Sequence, residues 1–342
     1  MNDVIRRIQQ SANDPNLLAK LVALSGTDLQ SLLMEVYRQK TARLTPSDVL
    51  RDYTTNRFTK PTPLPPKGFA RVERITHPML DAAGFQTLEL APLAPLGSSS
   101  APATVSQNKV VSALRGEVVS DPTNVLVLEA ARRRRERLAI DPRDSVPVKL
   151  AANHRVTRVF SGVDERHFAH FRILGLVTAG RDPGDRAFEE DALASHLSLH
   201  VGVVLAATGL EPSAVEISLT PLDEGAFGQR VEAWASELSG TAEDGTAGRG
   251  FTGDEATGNG TAGQGRPTIP PGVRIRIDRE RSTGRGYYES FCFKIHADHP
   301  EHGRMEFSDG GCVGWTRDLL GSKKERCFIS GTGIDRLVLV RG

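Results

Sequence analysis

The chain has 342 residues, which suffices for one large domain with an appendage or for two domains. Its 43 lysines and arginines nearly balance its 42 aspartates and glutamates, which argues against general nucleic-acid coating or membrane-surface binding. The sequence contains no run of about 18 apolar residues, so it predicts no membrane span. Residues 1–7 lack the apolar core of a signal peptide. Three cysteines without metal-type spacing are typical of a reducing cytosol.

The first 60 residues predict helices. Leu17, Leu21 and Leu24 recur at helical spacing, and Thr45 with Pro46 has the pattern of a helix N-cap followed by a first-turn proline. We therefore expect residues 1–60 to form a helical appendage, which either docks on the body or serves as a partner-binding arm. Four prolines within residues 61–66 predict a stiff extended linker, so the body is placed at residues 67–342.

Helical and strand patterns mix in the body. The patterns predict helices at 67–83, from 125 to an arginine run at 132–135, and at 186–210. They predict strands at 85–90, 146–150, 155–160, 171–180, 214–219, 273–277, 287–297 and 304–307. Residues 239–267 contain almost no bulky apolar groups and predict a flexible insert. Because the strands after residue 270 follow one another without helices, we predict an α+β fold with an antiparallel sheet flanked by helices.

The end of the chain combines features of a phosphate site. An apolar run at 327–329 meets a predicted small-residue turn at 330–333, and the amphipathic segment that follows carries Arg336. Glycines there let backbone approach a ligand, and a helix start offers free N–H groups to phosphate. Arg336 adds a fork-shaped cation. An ordinary strand–turn–helix with a solvent-facing arginine fits the same residues.

Three other patterns have two interpretations each. His296, His299 and His302 have the composition of a metal site, but their position between two strands favours a solvated hairpin, so no metal site is predicted. Asp309 precedes two glycines and is more typical of a turn than of a catalytic acid. The arginines at 132–135 favour a solvated helix end over an RNA contact.

In their order and spacing, several segments resemble the catalytic domain of class II aminoacyl-tRNA synthetases, and that of histidyl-tRNA synthetase and its paralogues most. Arg158, the loop after it and residues 171–180 are similar to motif 2, and residues 331–337 resemble motif 3. Residues 286–295 are similar to the strand with a tyrosine pair, and residues 120–123 stand where the family has P-E-x-T. The resemblance covers residues 67–342 and implies an antiparallel sheet of six or seven strands.

The resemblance also implies a site for ATP, Mg²⁺ and an amino acid. Arg158 and Arg336 would be the catalytic arginines, holding the α- and γ-phosphates. The other residues implied are His167, Gly331 and Gly333 for ATP, and Asp121, Thr123, Ile173, Val177 and Tyr288 for the amino acid. Adenylation needs cations on the phosphates and precise in-line placement, which agrees with this set.

Departures from the family pattern change the expected substrate. The motif 2 glutamate is replaced by Phe160, and the polar residues that recognise histidine fall at Ile173 and Val177. Unsatisfied imidazole nitrogens there would cost about 1–3 kcal/mol each, so we do not expect histidine. The family's catalytic arginine falls at Thr283, and Arg281 and Arg285 are its nearest substitutes. The usual anticodon-binding domain is expected to be absent.

Two functions follow from this pattern. The first is ATP-dependent activation of an amino acid or related carboxylic acid by a stand-alone domain. The second is an inactive paralogue that acts as a regulatory or binding subunit, like the regulatory subunit of ATP phosphoribosyltransferase. In either case we expect a cytoplasmic homodimer, with an acyl acceptor or partner protein and with neither membrane nor DNA as a partner.

Overall fold

The computed structural model describes residues 3–113, 115–159, 168–223, 225–240 and 268–341. Its helices are α1 (Asp3–Ser11), α2 (Leu17–Ala23), α3 (Gly26–Thr41), α4 (Pro46–Thr55), α5 (Pro66–Ala82), α6 (Pro122–Ile140), α7 (Ala187–Thr208), α8 (Ala226–Gly240), α9 (Trp315–Leu320) and α10 (Ile334–Val340). Its strands are β1 (Gln86–Thr87), β2 (Leu93–Pro95), β3 (Ser112–Ala113), β4 (Gly116–Val118), β5 (Val148–Thr157), β6 (His170–Arg181), β7 (Val215–Pro221), β8 (Arg274–Ile277), β9 (Glu289–His299), β10 (Gly303–Val313) and β11 (Glu325–Gly333).

Eight strands form one sheet in the order β1-β5-β6-β11-β10-β9-β7-β8. The six strands from β5 to β7 pair antiparallel, whereas the outer pairs β1–β5 and β7–β8 are parallel. The predicted α+β fold, an antiparallel sheet flanked by helices, is therefore confirmed. The strand number differs from the expected six or seven because a short parallel strand joins each edge. A separate three-stranded sheet, β2-β4-β3, adjoins the start of α6.

Two segments near the chain end that the sequence predicts as turns are parts of strands. Asp309 lies within β10 and pairs with Gly331 of β11, so neither residues 309–311 nor residues 330–333 form a turn. A Cβ on Gly310 would lie 2.5 Å from the Ser330 Cβ atom, closer than real contacts allow. Glycine is needed there because the neighbouring strand crowds the backbone. A sequence pattern does not distinguish a glycine required by such crowding from a glycine in a turn.

Other helix and strand boundaries also differ between the sequence prediction and the structure. The strands predicted at 146–150 and 155–160 are one strand, β5, because Ala151, Ala152 and His154 between them are buried and paired with β6. Helices α8 and α9 were not predicted. Residues 239–240 of the predicted flexible insert end α8, and its remainder, 241–267, lies outside the described residues.

Helices cover both faces of the sheet. Helices α5, α7 and α10 pack together on one face, and α6 packs across β5 and β6 on the other. The alternation along β6 produces this arrangement, since Leu174 and Leu176 join the α7 core while Val177 and Ala179 join the α6 core. Helix α7 has the length and hydropathy of a membrane span, but 67% of its most apolar window is buried inside the fold, as in a core helix.

The N-terminal helices contribute little to this core. No residue of α2, α3 or α4 is buried. Thr45 and Asp48 form a capping box at α4, as the Thr45-Pro46 pattern predicted. Arg115 connects the helices to the body, because its backbone N–H donates to Gln30 and its guanidinium donates to Thr27.

Candidate active site

A cavity of about 890 Å³ lies where the start of α6 meets the centre of the sheet. Its walls come from the start of α6, the end of β5, and strands β6, β10 and β11. The segment before β9 and helix α10 complete it. The sequence-predicted residues that line it are Asp121, Thr123, Arg158, Ile173, Tyr288, Gly331, Gly333 and Arg336. Residues distant in sequence therefore meet at one site.

Of the remaining predicted residues, Val177 does not line the cavity. Val177 is fully buried in the core between β6 and α6, four residues further along β6 than Ile173. The resemblance implied a substrate contact for both; because side chains alternate along a strand, both lie on the same face of β6, but helix α6 covers Val177. His167 and Phe160 lie outside the described residues.

The start of α6 is organised by Asp121. This residue is the N-cap, and its Oδ1 accepts from the backbone N–H of Thr123 at 3.0 Å and from the Thr123 hydroxyl at 2.7 Å. Gly175 lets the helix start approach β6, since a Cβ there would lie 2.7 Å from the Pro122 Cγ atom. Local capping and a glycine thus fix Thr123 at the cavity wall.

Arg158 is bound to this helix start. Its Nε donates to the Ser120 carbonyl at 2.7 Å, and its Nη2 lies 2.8 Å from Asp121 Oδ2. The guanidinium also lies 5.4 Å from the centre of the Phe171 ring. Arg158 and Asp121, predicted to bind different parts of the substrates, therefore form an ion pair with each other, and the Arg158 side chain remains 32% exposed.

Asp309 and Arg281 form a second pair. Arg281 Nη2 lies 2.9 Å and 3.0 Å from the two carboxylate oxygens of Asp309, and its Nη1 donates to the Phe293 carbonyl. Burial raises the pKa of Asp309, although Arg281 opposes the shift. Asp309 lines the cavity from a strand, so its interpretation as a turn residue is wrong. Arg281, considered as a substitute for the arginine missing at Thr283, lies directly behind it.

Tyr287 and Tyr288 link these two pairs. Their rings are 4.9 Å apart, Tyr287 lines the cavity together with Thr123, and the Arg281 guanidinium lies 5.7 Å from the Tyr288 ring. Burial raises the pKa of both phenols well above the usual value, so both are neutral at pH 7. This part of the cavity therefore offers hydroxyl groups and paired charges.

Arg336 lies in a more open part of the site. Its side chain is 47% exposed, and its guanidinium donates to the Glu306 carbonyl and lies 4.0 Å from a Glu306 carboxylate oxygen. Lys294 holds the same carboxylate at 2.6 Å. Lys109 and Arg304 add two further cations to the lining. The arrangement can bind an anion with several charges, such as a polyphosphate.

Sequence reasoning missed Asn124, Tyr287, Lys109 and Arg304. Asn124 directly follows Thr123, lines the cavity and is 2% exposed. Neither Oδ1 nor Nδ2 of its amide has a hydrogen-bond partner among the described residues. The sequence marks Asn124 only as a polar residue immediately before the apolar positions of α6, which is ordinary at a helix start.

On the opposite face of the sheet, buried polar side chains form a continuous series of hydrogen bonds. His196 and His200 lie one turn apart on α7 and share the Ser330 hydroxyl, each at 2.6 Å. Thr178 contacts the first ring at 2.9 Å, and Thr332 contacts the second at 2.6 Å. Burial lowers the pKa of His196 well below its usual value and that of His200 to about 3, so both rings are neutral.

In the part of the chain that the structure describes, no three or more histidine, cysteine, aspartate or glutamate side chains group together so that they could hold a metal ion. The three histidines of the β9–β10 hairpin do not converge on one point. His299 Nδ1 instead accepts from the backbone N–H groups of Glu301 and His302, which caps the turn. His302 borders the mouth of the cavity.

Comparison with known proteins establishes the fold. No family model and no curated protein matches the chain. A structure described as an ATP phosphoribosyltransferase regulatory subunit/histidyl-tRNA synthetase from Bacillus halodurans matches with a TM-score of 0.55 and 13% identity, covering 83% of this chain and 82% of that one. Apo histidyl-tRNA synthetase of S. aureus matches with a TM-score of 0.53 and 13% identity, covering 82% and 68%.

A third similar structure, a histidine–tRNA ligase subunit from Alicyclobacillus acidocaldarius, has a TM-score of 0.52 and 14% identity over 82% of this chain and 94% of that one. The chain thus has the fold of a class II aminoacyl-tRNA synthetase catalytic domain. Within that class, the structures it resembles carry the names of histidyl-tRNA synthetase and of its regulatory-subunit paralogue.

Proposed function

We propose that the chain activates an amino acid or related carboxylic acid by adenylation with ATP. A substrate carboxylate oxygen would attack the α-phosphorus, the bond from that phosphorus to its bridging oxygen would break, and pyrophosphate would leave. The observation that carries this proposal is the meeting of Arg158, Arg336, Thr123 and Tyr288 around one cavity. Two separated cations next to a hydroxyl-rich wall suit a polyphosphate beside a small polar ligand.

Each group has a role that its surroundings support. Arg158 would bind the α-phosphate and stabilise the charge that develops there, and Arg336 would bind the terminal phosphate. The Asp121 carboxylate and the Thr123 hydroxyl would face the substrate amino group. Magnesium would neutralise the phosphates. Glu306, which lines the cavity beside Arg336, would offer a carboxylate oxygen to the metal.

A specific observation favours the second function, a regulatory or binding subunit without catalysis. Arg158 and Asp121 already satisfy each other at 2.8 Å, so the two groups could serve only to fix the start of α6. In addition, one similar structure bears the name of a regulatory subunit. For either function we propose a cytoplasmic homodimer, and a monomeric mass in solution would contradict the dimer.

ATP–pyrophosphate exchange, measured with each proteinogenic amino acid in turn, tests the enzymatic proposal. Exchange should require one class of amino acid and should fall on the order of 100-fold or more in Arg158→Ala, since a group that stabilises transition-state charge is removed. The matched control is Arg132→Ala, because that arginine lies on exposed α6 surface and is paired with Glu129 and Glu136. It should exchange at the wild-type rate.

Thermal unfolding with and without ATP separates the two functions. Adenylation predicts that ATP raises the melting temperature of the wild-type chain and of the Arg132→Ala variant, but not of Arg158→Ala. A regulatory subunit in which the arginine only fixes α6 predicts a lower melting temperature for Arg158→Ala without ligand and no effect of ATP on any of the three proteins.

A further inference from the structure

Asn124 lines the cavity with a side-chain amide that has neither atom engaged, whereas Asp335, whose Oδ1 also lacks a hydrogen-bond partner among the described residues, accepts from the Arg172 backbone N–H through Oδ2. The neighbours of Asn124 are engaged: the Thr123 hydroxyl donates to Asp121, and Asp309 binds Arg281. The Asn124 amide, by contrast, is 2% exposed, and neither its oxygen nor its nitrogen has a partner among the described residues. It borders the cavity from the first turn of α6, next to the residues proposed to face the substrate.

An unsatisfied buried amide destabilises a fold, because its groups lose water and gain nothing in return. An apolar residue would fill the start of α6 without that loss. The amide has one strong acceptor and a donor group, so a ligand that complements it must present both a donor and an acceptor. An aliphatic side chain would leave it unsatisfied, and a carboxylate would match only its N–H groups.

The charges in this part of the cavity also select against ionic ligands. The Asp309 carboxylate is neutralised by Arg281, Asp121 and Arg158 are assigned to the substrate amino group and the α-phosphate, and the two tyrosines are neutral. A charged side chain would therefore be desolvated without a free partner. Because α6 covers Val177, Ile173 is the aliphatic side chain of β6 among the described residues that line the cavity.

We infer that Asn124 determines the acyl specificity of the site and that the preferred substrate has a neutral side chain with a donor and an acceptor, of which a carboxamide is the simplest. This inference rests on the proposed adenylation. Both amide atoms of Asn124 lie below the solvent-accessible surface, so the side-chain amide of an asparagine- or glutamine-like substrate would pair with them after the Asn124 side chain turns towards the cavity, while Thr123 and Asp121 face the substrate amino group.

The test uses stable acyl-adenylate analogues, the 5′-O-sulfamoyladenosine conjugates of asparagine, glutamine, leucine and aspartate, with unconjugated 5′-O-sulfamoyladenosine as reference. Binding to the full chain is measured by calorimetry. The carboxamide conjugates should bind about 10- to 100-fold more tightly than the leucine conjugate, and Asn124→Leu should abolish that preference. Unliganded Asn124→Leu should melt at or above the wild-type temperature, since it removes an unsatisfied group.

Asn153→Leu is the matched control. Asn153 lies on β5 outside the cavity, donates to Glu73 and also has an amide oxygen without a partner among the described residues. Its variant should keep the carboxamide preference. Should Asn124→Leu fail to fold, Asn124→Asp provides a variant of the same shape that lacks the donor and should lose the preference as well.

The outcomes separate the two proposals. If unconjugated sulfamoyladenosine binds but the leucine or aspartate conjugate binds as tightly as the carboxamides, the inference is wrong and the adenylation proposal stands. Carboxamide preference that survives in Asn124→Leu likewise overturns the inference. If neither the reference compound nor any conjugate binds, the adenylation proposal fails and the specificity inference fails with it.

Discussion

At the scale of single residues, the two buried histidines of α7 make stability depend on pH. His196 and His200 are inaccessible to solvent and neutral in the folded state, where the pKa of His200 is about 3. In the unfolded chain the same rings titrate near pH 6.5, about the usual histidine value. Between these values the unfolded state binds protons that the folded state does not, so stability is complete above about pH 6.5 and falls as the pH decreases.

The expected result is a free energy of unfolding that decreases by up to about 1.4 kcal/mol per pH unit for each histidine as the pH falls from 6 towards 4. His200→Gln cannot titrate and should reduce the slope by one histidine's share. Urea unfolding at a series of pH values measures this, with His77→Gln on exposed surface of α5 as control. Equal slopes for wild type and His200→Gln would contradict the buried neutral state.

Residue types also determined how much of the candidate site could be predicted. Arg158, Arg336, Thr123 and Tyr288 have side chains whose chemistry and spacing point to a ligand, and the fold brings them to one cavity. The sequence did not reveal that Arg158 pairs with Asp121, because that contact joins residues 37 positions apart. Asn124 was missed for a different reason, since a single polar residue at a helix start is ordinary until its lack of partners is known.

At the scale of elements, a buried ion pair connects α6 to the sheet. Arg134 of α6 lies 3.0 Å from Glu325 of β11, and both side chains are completely buried. Arg181 of β6 also contacts Glu325, at 2.9 Å, and Asp144 pairs with Arg134. The arginine run of α6 is predicted to be a solvated helix end, which holds for Arg132 but not for the buried Arg134.

Removing one member of this network should destabilise the fold strongly. Arg134→Met leaves the Glu325 carboxylate buried with one partner fewer, and we expect a loss of about 3 kcal/mol in the free energy of unfolding. Arg132→Met on the same helix, with a side chain 56% exposed, should cost less than about 1 kcal/mol. Urea denaturation of the two variants provides the comparison, and similar losses for both would refute the structural role of Arg134.

The elements near the chain end show why some of the fold could not be predicted. Alternation and apolar runs located β6, β7 and β9 to within a few residues, because their patterns follow from burial on one or both faces. Gly310 and Gly331 gave turn signals although both lie within strands. What requires glycine at 310 is the closeness of Ser330, and a Cβ on Gly331 would lie a tight 3.1 Å from Ile173; both are properties of the assembled sheet.

At the scale of the whole molecule, the hydrophobic core of the described residues lies within the proline-rich segment and the body that follows it. Its clusters begin at Leu64, and helices α2, α3 and α4 contribute no buried residue to it. Several large apolar side chains of the N-terminal helices are exposed instead, including Val22, Met34 and Leu50. The division at residues 61–66 remains a prediction, and the distribution of the core supports it.

Removal of residues 1–60 tests this division. Because the core loses no member, the chain of residues 61–342 should unfold cooperatively with a melting temperature within a few degrees of the full chain. A matched internal control is Arg115→Ala, which removes the guanidinium contact to Thr27 while leaving the helices in place and should likewise change the melting temperature little. If the truncated chain lost its cooperative transition, the helices would belong to the body's folding unit and the boundary would have to be abandoned.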